Sequence, residues 1–358
     1  MMVCRSNDMR VAFRADASVA LGTGHIRRCL ALAAELALRE TSILFVCRAL
    51  PGHMMTEIVG RGFAAAQLEE GATAASLPPD LDAQAMAAAV IDWGSEIDWI
   101  VVDHYGLDLR WERLMRGQAA RVMVIDDRGD RPHDCDLLLD QNFPNPVQAR
   151  YSSLIPPDAR QLLGTQYALL APEFSKMRAG ALARRSGTMD RLLVSMGGTD
   201  PANETAKVLD GFARSSHADM SVDVVLGAAN PHRSLVQSLC DTLPGCRMHV
   251  ETRRMAELMC AADLAIGGGG STTWERCTLG LPAIAVTLSD DQEPIARAVA
   301  EAGGQRLLGS ASEVEPADYT QALDELKGTV LKEMADNAAR LCDGRGAARV
   351  ATIMTSAA

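Results

Sequence analysis

Short unbroken runs of apolar residues alternate with stretches of helical spacing from residue 10 to residue 140, and the alternation resumes after residue 190. Runs too short for a helix and apolar on both faces read as strands buried in a parallel sheet. Segments with apolar positions three and four apart read as its covering helices. In the first half the strands are expected over 10–13, 42–47, 62–66, 98–103, 121–125 and 135–140. Helices are expected after the turn at 22–25, over 51–61, from 78 towards 93, and over 109–117. Pro78-Pro79-Asp80 places a proline where a first helical turn tolerates it.

Prolines then break the pattern at Asn142-Phe143-Pro144-Asn145-Pro146 and Ile155-Pro156-Pro157-Asp158, and up to residue 189 the chain reads as a connector with one helix over 172–185. A second series opens with the strand 191–195, with further strands over 222–226, 247–251, 264–266 and 283–286. Helices fall between them over 201–214, 234–242 and 255–261, and the tail from Pro316 is helical by pattern. This predicts an α/β protein of two doubly wound parallel-sheet domains facing each other across a cleft. The expected division is an N-terminal domain over 1–165, a connector over 166–188, a C-terminal domain over 189–310, and a helical tail over 311–358 that packs back across the cleft.

A chain of 358 residues is long enough for two such cores. Its formal net charge of −11 argues against nucleic acid or an anionic membrane surface as the main partner. A phosphorylated small molecule stays open, because backbone N–H groups hold phosphate without a basic patch. Nine cysteines without a CxxC pair read as reduced thiols. Residues 1–10 have no apolar signal core, and no apolar run approaches the roughly 18 residues of a membrane span. The expectation is a cytoplasmic protein, a monomer, not inserted in a membrane.

Ligands of open α/β sheets bind outside the carboxyl ends of the strands. Four strand ends carry polar or glycine-rich loops: 14–25, Asp103-His104-Tyr105-Gly106, Met196-Gly197-Gly198-Thr199-Asp200 and 267–273. In the first, Gly22 and Gly24 permit a tight turn, and His25 falls in the first turn of the helix. Free N–H groups and the positive end of the helix dipole suit an anion there and disfavour a protonated imidazole, as a general base requires. Asp16, in the same loop, either orients His25 or takes a hydroxyl of the ligand, and His104 is a competing base. The loop Gly267-Gly268-Gly269-Gly270-Ser271-Thr272-Thr273 is expected to let a diphosphate approach closely, with Ser271 and Thr272 supplying hydroxyls. It lacks the lysine of a P-loop, and Arg27 leaves Gly22-Thr23-Gly24 short of a dinucleotide fingerprint. Asp126, Asp127, Asp134 and Asp136 with His133 suggest a metal, but the histidine spacing is poor; they are read as a solvated loop, and no metal or cofactor is expected.

Phe13-Arg14-Ala15-Asp16, Gly22-Thr23-Gly24-His25, Val102-Asp103-His104-Tyr105-Gly106 and Ile125-Asp126-Asp127 follow in order. Cys135-Asp136-Leu137-Leu138-Leu139, Tyr167-Ala168-Leu169, Met196-Gly197-Gly198-Thr199-Asp200 and Asp291-Gln292-Glu293 continue the series. Up to about residue 307 it resembles the UDP-2,4-diacetamido-2,4,6-trideoxy-β-L-altropyranose hydrolases of the pseudaminic acid pathway, within the GT-B glycosyltransferase superfamily. Gly-Gly-Ser-Thr-Thr-x-Glu with Gly-Leu-Pro-Ala carries the wider likeness, to the lipid II-forming N-acetylglucosaminyltransferase.

The resemblance implies a GT-B-like fold and a UDP-sugar substrate cleaved by water at the anomeric carbon, with inversion and without a metal. Such a step belongs to nonulosonic acid biosynthesis, upstream of flagellin glycosylation. The family's base carries over to His25. Arg14, Asp16, Gly24, Asp103, Tyr105 and Asn142 are expected on the sugar side, and Gly198, Thr199, Gly269, Gly270, Ser271 and Thr272 around the diphosphate. Glu275 is expected at the ribose hydroxyls, and Gln292 and Glu293 at the last cleft loop. The competing function is a GT-B glycosyltransferase whose base activates an acceptor hydroxyl; a nucleotide-sugar-binding protein without catalysis ranks behind both.

Overall fold

The computed structural model describes residues 8–68, 78–94, 96–142 and 150–356. It divides into two compact units, one of Met1–Ala171 with Arg345–Ala358 and one of Pro172–Gly344. Most of the proline-rich break at 142–146 lies outside the described residues.

The first unit is built on β1 (Arg10–Ala15), β2 (Ser42–Arg48), β3 (Ala64–Leu68), β4 (Ile97–Asp103), β5 (Ala119–Ile125), β6 (Leu137–Asp140) and β7 (Arg160–Leu163). These lie in the order β3-β2-β1-β4-β5-β6-β7, and every pairing is parallel. Parallel strands need crossovers that cover both faces, so β1 is buried from Val11 to Ala15, with Arg14 its one buried charge. Val11, Phe13 and Ala15 pack with Cys29, Leu30 and Ala33 of helix α1 (Gly24–Ala37), while Ala12 faces Met86 and Trp111 on the other side. Phe13 stacks on Phe45 at 4.8 Å between centroids. Burial of each such large side chain contributes about 1.5–3 kcal/mol. The strand order reverses between β1 and β4. Connections from those two strands leave in opposite directions, which opens a crevice at their carboxyl ends. Ala15 and Asp103 are register partners there.

The second unit repeats the scheme with β8 (Arg191–Ser195), β9 (Ser221–Leu226), β10 (Cys246–Val250), β11 (Leu264–Gly268), β12 (Ala283–Thr287) and β13 (Arg306–Ser310). The order is β10-β9-β8-β11-β12-β13, again all parallel. Its reversal falls between β8 and β11, where Gly267 is in register with Ser195.

The observed division differs from the expected one at both ends of the second unit. The connector helix Pro172–Arg184 belongs to that unit. Arg178 on it donates to Cys342 O at 3.0 Å and Ala339 O at 2.7 Å, and Arg185 just beyond it donates to Leu279 O and Met259 O, both at 3.1 Å. These carbonyls end helices, where cations are favoured. The tail is not one piece. Its helices Pro316–Glu325 and Thr329–Leu341 stay in the second unit, and only Gly346–Ser356 joins the first. There Ala347, Val350, Ala351 and Met354 complete the core against α1. Gly346 permits this contact: a Cβ on it would lie 2.2 Å from Ala168 O.

Candidate functional site

In the first unit the chain leaves β1, makes a closed turn and enters α1. Gly22 N–H donates to Ser18 O at 2.8 Å, and Leu21 N–H to Ser18 Oγ at 2.9 Å. The turn needs φ +75° at Gly22, a conformation cheap only for glycine. Thr23 precedes the helix without capping it through its side chain, and no acid lies in the first turn. His25 therefore sits among uncapped N–H groups, 11% exposed, beside the carboxyl end of β4.

Asp103 ends β4 and is 1% exposed. Its Oδ1 accepts from His25 Nδ1 and from Arg28 Nη2, both at 2.6 Å, and its Oδ2 accepts from Arg28 Nε at 2.6 Å. Burial alone would raise the Asp103 carboxyl, but Arg28 and His25 outweigh it and hold the group well below the usual carboxylate range. An ionised carboxylate only accepts, so the short contact fixes the His25 hydrogen on Nδ1, even though Arg28 Nη2 passes 3.2 Å from the same nitrogen. Nε2 is left as an acceptor with no partner among the described residues. Arg28 continues to Asp127 Oδ2 at 2.8 Å, and Tyr105 donates to Asp127 Oδ1 at 3.0 Å. The Tyr105 ring meets His25 edge-on at 4.7 Å, which fixes the imidazole plane.

His104, the competing base, is occupied at both nitrogens. Its Nδ1 accepts the Gly106 N–H at 3.0 Å, so its hydrogen is on Nε2, which faces Asp16 Oδ2 at 3.4 Å. Burial holds it below the ordinary histidine range despite Asp16. A neutral imidazole with no lone pair to spare does not act as a base.

Three residues expected on the sugar side lie behind the site instead. Arg14 is fully buried and bonds Asp82 (2.7 and 3.0 Å) and Asp16 (2.8 and 2.9 Å). Asp16 is 2% exposed, accepts the Arg48 N–H at 2.8 Å and, among the described residues, bonds Arg14 and Arg48 rather than His25. Asp82 further accepts from Arg48 at 2.8 Å and Trp111 Nε1 at 2.9 Å. Two buried arginines are thus balanced by two buried aspartates that tie β1, β2 and the helix Pro79–Trp93 together. Asp103 orients His25 from behind rather than facing a ligand. Gly24 opens α1, Tyr105 is 36% exposed beside His25, and Asn142 is half-buried with its N–H on Asp140 Oδ1 at 2.9 Å.

The acid-rich stretch is not a solvated loop. Asp126 is fully buried, bonded by Gly129 N–H at 2.8 Å and Arg131 at 3.0 Å, with His133 Nε2 at 3.8 Å. Asp134 pairs with Arg116 at 2.7 Å, and Asp127 belongs to the His25 cluster through Arg28. Arg28 and Asp127 are the members that sequence reasoning missed. Arg28 lies three residues after His25, on the same helix face, and that spacing was the available signal.

In the second unit, the loops after β8 and β11 flank the strand-order reversal. Gly198 is exposed, with nothing within 4 Å of where a Cβ would stand, and Thr199 is half-buried beside it. Asp200 accepts from Glu204 N–H at 2.8 Å and Thr205 N–H at 3.0 Å, holding the start of the helix Glu204–Arg214. After β11 the glycines differ in purpose. A Cβ on Gly267 would stand 2.5 Å from Ser195 O, and one on Gly269 would stand 2.9 Å from Ala296 Cβ, so these two serve internal packing. At Gly270 the nearest atom would be 3.6 Å away, so close approach by a ligand fits that position. Ser271 is exposed, and Thr272 and Glu275 are half-buried in and before the helix Thr272–Thr278. Gln292 turns inward: its Oε1 accepts the N–H groups of Gly269 and Leu288, both at 3.1 Å. It is therefore a staple of the loop. Glu293 opens the helix Glu293–Glu301 and pairs with Arg297.

Residues 195–350 match the Glycosyltransferase family 28 C-terminal domain. Over 296 residues the chain is 24% identical to the UDP-2,4-diacetamido-2,4,6-trideoxy-beta-L-altropyranose hydrolase of Campylobacter jejuni subsp. jejuni, covering 82% of this chain and 97% of that protein. Among solved structures it is similar to MurG of Acinetobacter baumannii, with TM-score 0.68 and 16% identity over 97% of this chain and 99% of that one. It is also similar to UDP-GlcNAc 2-epimerase from Neisseria meningitidis bound to UDP-GlcNAc, with TM-score 0.61 and 13% identity over 98% and 100% of the two chains. The chain thus has a GT-B-like fold of two doubly wound parallel sheets, matches the Glycosyltransferase family 28 C-terminal domain over residues 195–350, and resembles the UDP-diacetamido-trideoxy-altropyranose hydrolase along most of its length.

Proposed function

We propose that the protein hydrolyses a UDP-activated diacetamido-trideoxy sugar to the free sugar and UDP, as a step of nonulosonic acid biosynthesis. The observation that carries this reading is the Asp103–His25 pair: Nδ1–H is engaged at 2.6 Å and Nε2 is left as the acceptor. A water hydrogen-bonded to Nε2 loses its proton there as its oxygen attacks the anomeric carbon from the face opposite UDP, which inverts that centre. The imidazolium that forms is stabilised by Asp103. The UDP leaving group needs hydrogen-bond donors rather than a proton. We assign that role to the N–H groups and hydroxyls of Gly270, Ser271 and Thr272, with Gly198 and Thr199, and the ribose hydroxyls to Glu275. The name of the Campylobacter relative supports the reaction, and the UDP-GlcNAc bound to the epimerase supports a UDP-sugar as ligand.

The family 28 match and the likeness to MurG favour a second reading, in which the same base serves an acceptor hydroxyl. Incubation with candidate UDP-sugars in heavy-oxygen water separates the two. Hydrolysis by the proposed route places the label in the sugar, with inverted configuration, and none in UDP. Release of UDP only when an acceptor is added would sink the hydrolase reading.

A further inference from the structure

Arg276 is 3% exposed, beneath the loop that follows β11. Its Nη2 donates to Gly268 O and Thr273 Oγ1, both at 3.0 Å, and its Nε–H is buried without a partner. A Cβ on Gly267 would stand 3.1 Å from its Nη1, so the guanidinium lies against the carboxyl end of β11, next to β8. Among the described residues it has no ion pair. The other buried arginines are compensated: Arg14 and Arg48 by Asp82, Arg28 by Asp103 and Asp127, and Arg185 by carbonyls at helix ends. Arg276 hydrogen-bonds only a neutral carbonyl and a hydroxyl, and the neighbouring Glu275 carboxylate attracts it without forming an ion pair. A buried charge is expensive unless an opposite charge joins it.

We propose that Arg276 is a positioning residue whose missing counter-charge is the diphosphate of a nucleotide bound over Gly270 and Ser271. Through the loop it attracts the two phosphates and, through Gly268 O and Thr273 Oγ1, holds the loop in the shape that receives them. The inference rests on the UDP-sugar reading above and adds to it a fixed positive charge below the loop. One such charge near an anion, screened by protein rather than water, is worth at least about tenfold in binding.

The test is calorimetric binding of UDP and of uridine to the wild type, Arg276→Gln and Arg276→Lys, with thermal unfolding of each. The expected result is UDP binding weakened at least about tenfold in Arg276→Gln, uridine binding unchanged, and part of the loss restored in Arg276→Lys. Equal loss of UDP and uridine would mean that Arg276 only supports the loop, and unchanged UDP binding would remove its charge from the site; either overturns the inference. Should Arg276→Gln fail to fold, the wild type decides alone. A buried charge is weakly screened, so its preference for UDP over uridine must persist from 0.05 to 0.5 M KCl. A preference that disappears with salt assigns recognition to exposed charges and overturns the proposal. A wild type that binds neither ligand refutes the UDP reading itself.

Discussion

Replacing Asp103 by Asn tests the proposed base most directly, because it keeps the shape and removes what fixes the imidazole. In the native site Oδ1 receives hydrogens from His25 and Arg28, and Oδ2 receives one more from Arg28. An amide has one oxygen. With that oxygen at the Oδ1 position its NH2 opposes Arg28 Nε–H; flipped, the NH2 opposes Arg28 Nη2 and donates to His25 Nδ1, which forces the hydrogen onto Nε2. Neither orientation is satisfied, and the productive tautomer is no longer selected. The imidazolium formed during turnover also loses its partner. With charge centres about 4 Å apart and an effective dielectric constant of about 20, that attraction is worth up to roughly 4 kcal/mol. Turnover should therefore fall by up to about a thousandfold, at about 1.36 kcal/mol per tenfold. UDP binding should be unchanged.

Stability separates this effect from unfolding. Arg28 keeps Asp127 at 2.8 Å, so the substitution should cost about 1–3 kcal/mol, below what a fully orphaned buried charge costs. The sign with pH follows from Asp103's depressed carboxyl, whose contribution is present above the unfolded value of 3.8 and lost as pH falls below it. The gap between wild type and Asp103→Asn in urea melts should accordingly narrow below pH 3.8. Single-turnover UDP release at pH 7.5 is the decisive assay. A folded Asp103→Asn protein that turns over within about threefold of wild type would refute the assignment of His25 as an Asp103-oriented base.

Other consequences are equally open to measurement. Burial lowers His133, but Asp126 and Glu112 (2.6 Å) prevail and hold it up at about 9, so its stabilisation is complete below pH 6.5 and lost as pH rises through about 9. That loss is on the order of 3 kcal/mol, and urea melts of His133→Gln should show a much flatter fall over the same window. Asp82→Ala leaves the buried Arg14 and Arg48 sharing Asp16; a loss of roughly 3–5 kcal/mol, read as a melting point lower by roughly 10 °C, is expected. Gln292→Ala removes the acceptor of the Leu288 N–H and one of the two acceptors of the Gly269 N–H, which keeps Val286 O at 3.0 Å, and should weaken UDP binding by about 1–3 kcal/mol in calorimetry while uridine binding is little changed. Gly267→Ala forces a methyl to 2.5 Å from Ser195 O and should lower the melting point more than Gly270→Ala does.

The central strands were legible because parallel sheets bury both faces, which leaves unbroken apolar runs such as Ile43-Leu44-Phe45-Val46. Edge strands carry a weaker signal, and of the four here only β3 and β10 were expected. β7, Arg160-Gln161-Leu162-Leu163, exposes its first two residues, and β13 contains Gly309 and is half-buried throughout; neither was expected. The turn before His25 was readable because glycine spacing states a backbone requirement. What Asp103 and Arg14 face was not, since residue type shows that a charge must be paired but not by whom: Asp82 lies 68 residues from Arg14, and Asp103 lies 78 from His25. The glycine loop shows the same limit. Gly267, Gly269 and Gly270 are identical in sequence, yet two of them make room for Ser195 and Ala296, and only the third leaves space for a ligand.

Accounting for lone pairs and counter-charges does what residue identity could not. His25 and His104 both stand at strand ends of one crevice, and both have an aspartate within reach. They differ in what occupies the second nitrogen: for His104 it is the Gly106 N–H, for His25 nothing among the described residues. Substitution should reflect that difference, with His104→Asn reducing turnover through the Asp16 network and His25→Asn removing the proton acceptor itself. The arginines divide on the same principle. Where acids or helix-end carbonyls complete the count, removing an arginine costs stability that no added anion restores. Where the count is open, as at Arg276, the missing charge is a statement about the ligand.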